Sequence, residues 1–343
     1  MKTSLLAAAA LATILALPAA ASPVTGVDAL KEWNLIVLGD LTSSSEVEGR
    51  TFVGGNLDGN SSNYQIKTPA PSSYDIPGLT VVGDVRGGAK NLNNASGAVV
   101  GGNVTSGFNL NGAAQTVQVG GTIANTNVNQ NTVTAGLASK PGFSEGLQQQ
   151  KSLLSSSMTD LSQGMAKLDS NSSVSFSGNR ATFNAKPDAK GVAVFNITAD
   201  DLNRIGEVQF NLNGADTAVV NVRGANIVLD DNFLGGTQGL GEYVIWNFAD
   251  AKDLSLTTAW GGSVLAPGAA ATTGNYVQGS AVFGSLVQNG EFHLGTFTGG
   301  YTPPTPNDPT GPKPVPEPGT WALMLAGLAL VALLLRRRRS ATA

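Results

Sequence analysis

The chain has 343 residues, with 24 acidic and 20 basic side chains, and it contains no cysteine. Disulfide frameworks and thiolate sites are therefore excluded. Five of the basic residues lie at the two ends, in Lys2 and the run from Arg336 to Arg339, which leaves 15 basic residues against 24 acidic ones in between. This acidic body argues against nucleic-acid binding, which requires a basic face.

The first 21 residues have the pattern of a secretory signal peptide. Lys2 supplies a positive charge, and residues 5–17 form an apolar run. Ala19 and Ala21 form an A-x-A cleavage pattern, so the mature chain is predicted to begin at Ser22. We expect export through the Sec machinery, and we leave this segment out of the fold prediction.

The C-terminal segment combines three features in a fixed order. A proline-rich linker at 301–315 leads to the triplet Pro316, Glu317 and Pro318. An apolar run of 15 residues at 321–335 follows, and it is predicted to be a helix although a membrane span needs roughly 20 residues. The run ends in a cluster of four cations, Arg336, Arg337, Arg338 and Arg339.

This order resembles the PEP-CTERM sorting signal of Gram-negative bacteria, here at 316–343. The resemblance implies recognition by an exosortase in the inner membrane and cleavage near the Pro-Glu-Pro triplet. It also implies transient anchoring in that membrane, followed by transfer to the cell surface or the extracellular matrix. The alternative is an ordinary single-pass anchor whose arginines stay in the cytoplasm.

Five segments of the N-terminal half repeat one pattern: a short β-branched run, then glycine, then a polar residue, then an aliphatic one. The polar positions are separated by steps of 16, 28, 19 and 19 residues, and they are Asp40, Asn56, Asp84, Asn103 and Thr122. Steps near 18 predict the coils of a parallel β-solenoid. We expect the glycines to turn with positive φ, and the Asn and Asp residues to adopt the left-handed conformation at the corners. An antiparallel sandwich is the alternative.

One long helix interrupts the predicted strands. Apolar residues recur with helical spacing from 144 to 168, and Ser144 is the expected N-cap. We expect this helix to flank the solenoid, an architecture that also resembles bacterial ice-binding domains. Strand patterns resume afterwards and continue to residue 293, so the body at 22–300 is predicted to be mainly β with a single continuous core.

The body resembles the choice-of-anchor A family. Two blocks carry the resemblance, "WNLIVLGDLTSSSEVEGRTFVGGNL" at 33–57 and "VIWNFADAKDLSLTTAWGGSVLAPGAAATTGNYVQGSAVFGSLVQNGEFH" at 244–293. It implies an exported surface or matrix protein with an adhesin-like role. The family offers no settled catalytic residues, and none is carried over.

Few residues are candidates for catalysis or metal binding. His293 is the only histidine, and alternation in "GEFHLG" predicts that it points outward. Asp230, Asp231 and Asn232 could contribute to a calcium site, although further ligands would be needed. The acids that follow Thr198 indicate a capped helix start. Trp246 is expected in the core, whereas Trp260 is expected to be exposed.

The leading hypothesis is therefore a non-enzymatic, adhesin-like protein that binds polysaccharide or matrix polymers along a polar face, with no cofactor. The alternative is a β-helix polysaccharide lyase or hydrolase that uses Asp230 or Asp231, since such chemistry relies on paired carboxyl groups. Ice binding ranks lower, because the repeated polar column mixes Asp, Asn and Thr instead of forming a regular array.

Overall fold

Short parallel strands stack into a three-sided β-solenoid, as the repeat predicts. The structure is a computed structural model that describes residues 24–72 and 74–302. The helices are α1 (Gly26–Glu32), α2 (Phe143–Met165) and α3 (Ala199–Leu202), with a 3-10 turn at Leu137–Ser139.

The strands fall into two groups, before and after α2. The first group is β1 (Leu35–Val37), β2 (Leu41–Ser43), β3 (Glu46–Val47), β4 (Thr51–Val53), β5 (Leu57–Asp58), β6 (Ser62–Tyr64), β7 (Leu79–Val81), β8 (Lys90–Leu92), β9 (Ala98–Val100), β10 (Phe108–Leu110), β11 (Thr116–Val119) and β12 (Thr132–Thr134). The second group is β13 (Ser173–Ser177), β14 (Arg180–Asn184), β15 (Val192–Thr198), β16 (Glu207–Asn211), β17 (Thr217–Arg223), β18 (Asn226–Leu229), β19 (Asn232–Phe233), β20 (Val244–Asn247), β21 (Asp253–Leu256), β22 (Trp260–Gly261), β23 (Ser263–Thr273), β24 (Val277–Gln278), β25 (Ala281–Gln288) and β26 (Phe292–His293).

The first strand, β1, lies in the middle of the solenoid. Along one face the strand order is β12-β11-β9-β7-β4-β1-β25-β23-β20-β17-β15. The N-terminal coils therefore build outward from β1 to β12, and after α2 the C-terminal coils build back from β15. The two halves join where β25 pairs in parallel with β1, with Leu35 opposite Ala281.

We number the three faces by the strands that form them. The first face is the sheet whose order is given above. The second face contains β2, β5, β18, β21 and the C-terminal parts of β23 and β25, and single bridges at Val85, Val104 and Ile123 extend it. The third face is the sheet β10-β8-β6-β3-β26-β24-β22, with a four-stranded sheet of β13, β14, β16 and β19 beside β22.

The repeated polar residues form a ladder at the corner between the first and second faces. Each side-chain oxygen accepts a hydrogen bond from the backbone N–H of the next polar residue, so that Asp40 Oδ1 caps Asn56 at 2.7 Å and Asn56 Oδ1 caps Asp84 at 3.0 Å. In the same way, Asp84 Oδ1 accepts the Asn103 N–H, and Asn103 Oδ1 accepts the Thr122 N–H. The predicted steps between coils are confirmed, because these pairs are separated by 16, 28, 19 and 19 residues.

The corner glycines serve a different purpose from the one predicted. Gly54, Gly55 and Gly83 are absent from the positions with positive φ, and so are the Asp and Asn residues of the ladder. The constraint is steric. A Cβ on Gly83 would lie 2.5 Å from Asn56 Oδ1 and 2.7 Å from the Gly55 carbonyl oxygen. Glycine therefore provides the space in which each coil's polar side chain reaches the next coil.

Two apolar clusters hold the body together instead of the single core that the strand pattern predicts. One fills the solenoid, and the other lies between the outer side of the first face and the helices. The predicted stripe on α2 is confirmed as part of the second cluster, with Leu147, Leu154, Met158, Leu161 and Met165 buried. Ser144 is not the N-cap, because Gly142 in the left-handed conformation precedes the helix and no side chain caps it.

A row of amides, of which Asn221 and Asn247 are buried and Asn196 is exposed, attaches α2 to the first face. Asn221 Nδ2 donates to Asn196 Oδ1 at 2.9 Å and to the Met165 carbonyl oxygen at 2.8 Å. Asn247 Nδ2 donates to Asn221 Oδ1 at 2.8 Å, and Ser162 Oγ donates to Asn247 Oδ1 at 2.6 Å. The amides therefore satisfy one another and fix the position of the helix along the strands.

We expect Gly83→Ala to lower the free energy of unfolding by about 2–3 kcal/mol, because the new methyl group collides with backbone that cannot move away. Gly146→Ala is the matched control, since nothing lies within 4 Å of a Cβ built on this glycine in α2. The control should gain about 0.5–1 kcal/mol from helix propensity. Urea unfolding followed by circular dichroism measures both changes, and equal behaviour of the two variants would contradict the steric explanation.

Asn221→Ala is expected to cost about 2–3 kcal/mol, because buried polar partners on α2 and on the neighbouring strands lose their hydrogen bonds. Asn109→Ala is the control. Asn109 belongs to an exposed row, where water replaces the bond that it donates to Asn91. This control should change stability by less than about 1 kcal/mol. Chemical denaturation of the three proteins tests whether the row that contains Asn221 carries the attachment of α2.

Candidate binding faces

The helices cover one of the three faces and leave two open among the described residues. Outward side chains of the first face, such as Ile36, Phe52 and Val282, are buried in the cluster that contains α2. The second and third faces carry no helix of comparable length. The second and third faces are therefore the candidate binding surfaces.

The second face displays a straight outward row of valine and hydroxyl side chains. Strand register places its members directly opposite one another, and we call them the Val–Thr row: Val228, Ser255, Thr272, Val287 and Thr42. Val228 is 41% exposed and Val287 is 45% exposed. At one strand spacing per step, the row extends over about 19 Å. It presents methyl groups and hydroxyl groups side by side on adjacent strands.

An ion pair continues the same line. Asp58 lies opposite Thr42 on the next strand, and it accepts hydrogen bonds from Arg86 Nε at 2.8 Å and from Arg86 Nη2 at 2.9 Å. The hydrogen bond from the guanidinium lowers the pKa of the Asp58 carboxyl group below its usual value. This two-point contact holds both side chains in place on the surface.

The third face carries an amide row of its own. Glu46, Asn63, Asn91 and Asn109 lie opposite one another on adjacent strands. Asn63 Nδ2 donates to Glu46 Oε1 at 3.1 Å, and Asn109 Nδ2 donates to Asn91 Oδ1 at 2.8 Å. Part of the hydrogen-bonding capacity of this row is therefore used within the protein.

His293 also lies on the third face and points outward, as the alternation predicts. Its ring stacks on Tyr276 with centroids 4.4 Å apart and an angle of 14° between the planes. Nε2 lies 2.8 Å from Glu291 Oε2, and the side chain is 24% exposed. The contacts of His293 are those of a surface side chain held between two neighbours.

The three residues proposed for calcium do not converge. Asp231 is fully buried, whereas Asp230 and Asn232 are exposed on either side of it. No group of three or more His, Cys, Asp or Glu side chains suited to a metal ion occurs among residues 24–72 and 74–302. The two carboxyl groups therefore lie on opposite sides of the solenoid wall, as alternation along an extended segment requires.

Burial raises the pKa of Asp231. Neither carboxyl oxygen has a hydrogen-bond partner in the described part of the chain. Desolvation, with a smaller contribution from Asp230, raises the pKa of Asp231 to about 7. The neutral acid is therefore the favoured form inside the solenoid below neutral pH.

One of the two tryptophan predictions is confirmed and the other is wrong. Trp246 is in the core as expected, whereas the prediction that Trp260 is exposed is wrong. Trp260 is fully buried and packs with its ring centroid 4.9 Å from that of Trp246 and 5.0 Å from that of Phe233. The Gly261-Gly262 pair that follows allows a close approach of backbone, since a Cβ on Gly262 would lie 2.7 Å from the Trp246 ring. The capping box at Thr198 is confirmed.

Comparison with protein-family models identifies the family to which the body belongs. The family model described as an ice-binding-like adhesive domain matches residues 26–294. The chain belongs to this family. The match covers the solenoid and α2, so it agrees with the fold. No curated protein and no solved structure matches the chain. The family model does not carry the name choice-of-anchor A.

A second model, for the PEP-CTERM protein-sorting motif, matches residues 314–339. Together the two matches describe an exported surface protein with an adhesive domain, which an exosortase recognises and which is transiently anchored in a membrane. The predicted signal peptide, the predicted apolar helix at 321–335 and the predicted sorting residues lie outside the described residues. Among those that are described, no helix is both long and apolar enough to span a membrane.

The Val–Thr row is the feature that sequence reasoning missed. Its members come from five separate segments, and each lies between buried neighbours in strands such as "NIVL" and "AVFGSLVQ". Val228 and Val287 are apolar like the core residues beside them, so composition does not separate them. Strict alternation within these strands was the available signal.

We expect Asp231→Asn to change the pH dependence of stability. Because the folded-state pKa is above the unfolded value of 3.8, the stabilisation is complete below about pH 4 and is lost as the pH rises to about 7. The wild type should therefore lose up to about 4 kcal/mol over this range relative to Asp231→Asn. Asp253→Asn, which replaces an exposed carboxylate, is the control and should keep the wild-type slope. Denaturant unfolding at several pH values checks this, and parallel curves for wild type and Asp231→Asn would contradict it.

Proposed function

We propose that the body binds an extended polysaccharide or another matrix polymer along the second face, and that the protein acts as an adhesin on the cell surface or in the extracellular matrix. The Val–Thr row carries this proposal. It offers one side chain per coil at the spacing of β-strands, so a polymer lying along the solenoid axis meets a repeated set of contacts. Each contact is weak, and their number along one chain supplies the affinity.

The other surfaces are less suited to such a ligand. The first face lies under α2, and the amides of the third face bond to one another. At the corner ladder, one oxygen of each of Asp40, Asn56, Asp84 and Asn103 already accepts a backbone N–H. The Val–Thr row has exposed methyl groups for the C–H surface of a sugar ring and hydroxyl groups for its polar edge.

We also propose that binding involves no catalysis. Asp231, one of the two candidate residues of the lyase or hydrolase alternative, is buried without contact with the surface. Its neighbour Asp230 faces solvent, so the two carboxyl groups cannot approach one sugar together. The assignment of the body to an adhesive family supports this view.

For processing, we propose removal of residues 1–21 after Sec export and cleavage by the exosortase near Pro316, Glu317 and Pro318. The body at 22–300 would be a choice-of-anchor A domain, supported by the two sequence blocks at 33–57 and 244–293. Tyr301 is buried in the same cluster as Val24 and Val27, which supports a body that ends close to its own beginning. The segment at 301–315 then serves as the linker to the sorting signal at 316–343.

The proposal is tested by sedimentation of the full chain with insoluble polymers, in a detergent without a sugar head group. Cellulose, chitin, collagen and the exopolymer of the host bacterium form the panel. We expect binding to one polymer class, with Thr272→Arg and Thr42→Arg weakening it at least tenfold. Both residues are exposed, so the substitutions should preserve the fold.

Asn109→Arg is the matched control on the third face, and it should bind as the wild type does. The supernatants are assayed for reducing ends and unsaturated sugars. Products that disappear in Asp230→Asn would overturn the non-enzymatic proposal. Binding that Asn109→Arg abolishes and Thr272→Arg preserves would move the site to the third face.

A further inference from the structure

A groove with a volume of about 570 Å³ lies along the corner between the third and first faces. Arg50, Gly97 and Thr116 line it at the corners of successive coils, and Gly78 lies between Arg50 and Gly97 in strand register. These four positions span three strand spacings, or about 14 Å. The segment that the long step of the repeat inserts, represented by Thr68 and Ile76, forms the outer wall.

Glycine keeps the floor of this groove open. A Cβ on Gly78 would lie 2.6 Å from Gln65 Oε1 and would also collide with Ser96 Cβ. Gly97 has φ +65°, a conformation that favours glycine, and a Cβ there would lie 2.9 Å from the Thr116 carbonyl oxygen. Gln65 and Ser96 therefore converge beside Gly78.

One nearly buried polar side chain at the groove has no partner among the described residues. Gln65 and Ser96 are each 7% exposed, and the Ser96 hydroxyl is buried there without a hydrogen bond. Gln115 shows the contrast, because its Oε1 accepts the Gly97 N–H at 3.0 Å and its Nε2 donates to the Leu92 carbonyl oxygen at 3.3 Å. Buried polar groups normally have partners, so the unpaired Ser96 hydroxyl, with the Gln65 amide beside it, indicates a place for a ligand.

The groove is polar but mostly uncharged. Amides and hydroxyls dominate its lining, and Pro69, Ile76 and Pro77 supply flat apolar surface. Arg50 at one end is already engaged, with Glu32 at 3.6 Å and with the Ala70 carbonyl oxygen at 2.9 Å. Asp75 is the other charged side chain in the lining. An anionic ligand would meet no free cation here.

We propose that this groove binds a short neutral saccharide of about three sugar units. An amide both donates and accepts, and a hydroxyl does the same, so Gln65, Ser96 and Thr116 match the hydroxyl groups of a sugar ring. The proline side chains pack against the C–H faces of the rings. The groove would hold a chain end or a side branch, whereas the second face holds the main chain of the polymer.

The inference rests on the proposed function only for the class of ligand, since both sites would recognise saccharide. It adds a second site with a defined location. The two sites are far enough apart in sequence and on the surface for separate variants to act on each. Thr272 and Thr42 belong to the second face, and Gln65 and Thr116 belong to the groove.

The test is saturation-transfer NMR and calorimetry of the full chain in the same detergent, with cellotriose, maltotriose and triacetylchitotriose as probes. We expect one trisaccharide to bind with a dissociation constant of about 1 mM or below. Gln65→Ala and Thr116→Val should each weaken this binding at least fivefold. Thr182→Val, a half-buried threonine on β14, is the matched control and should leave the affinity unchanged.

The same variants are carried through polymer sedimentation. Loss of trisaccharide binding in Gln65→Ala and Thr116→Val, with polymer binding retained, supports the groove. Failure of all three probes to bind, or equal weakening by Thr182→Val, overturns the groove and leaves the second-face proposal untouched. Trisaccharide binding that Thr272→Arg abolishes while the groove variants keep it would also overturn the groove. Loss of polymer binding in Gln65→Ala and Thr116→Val, with polymer binding retained in Thr272→Arg, would instead contradict the second face.

Discussion

The N-terminal half of the solenoid depends on one contact, in which a side-chain oxygen of one coil accepts the backbone N–H of the next coil at the corner. A turning backbone leaves N–H groups without strand partners, and burial of such groups is costly. Asp40, Asn56, Asp84 and Asn103 satisfy them from the coil below. The contact requires adjacent glycines, since any side chain there would occupy the space of the oxygen. The repeated corner therefore fixes the stacking and register of the N-terminal coils.

The attachment of α2 determines which surface remains available. Apolar residues drive the helix onto the first face, but an apolar stripe alone allows sliding along a uniform surface. The row of Asn196, Asn221 and Asn247 removes that freedom, because each amide must meet a particular carbonyl or hydroxyl. The covered face is thereby fixed, and the second face is left as the long uninterrupted surface. Its exposed valines and threonines are tolerated there because strands pair on both sides of most of them.

Much of the N-terminal half could be predicted from the sequence, and less of the rest. The polar repeat gave the coil steps correctly, and helical spacing located α2 within a few residues. The role of the glycines was not predictable, because positive φ and close approach leave the same mark on a sequence. Trp260 was misplaced for a similar reason, since a following Gly261-Gly262 pair can expose a ring or seat it tightly. The position of β1 in the middle of the solenoid leaves no local trace, because its partner β25 lies near the other end of the body.

The meeting of the two halves has a consequence for how the chain folds. The side chains of Ser43 and Gln288, which bond across the joint, are 245 residues apart in sequence. Contacts of such separation are slow to form, because a long loop must close before they contribute. During synthesis the N-terminal coils appear first, yet β1 keeps an unpaired edge until β25 has emerged. The finished fold is therefore unavailable to a nascent chain, and the solenoid closes only after nearly the whole body has left the ribosome.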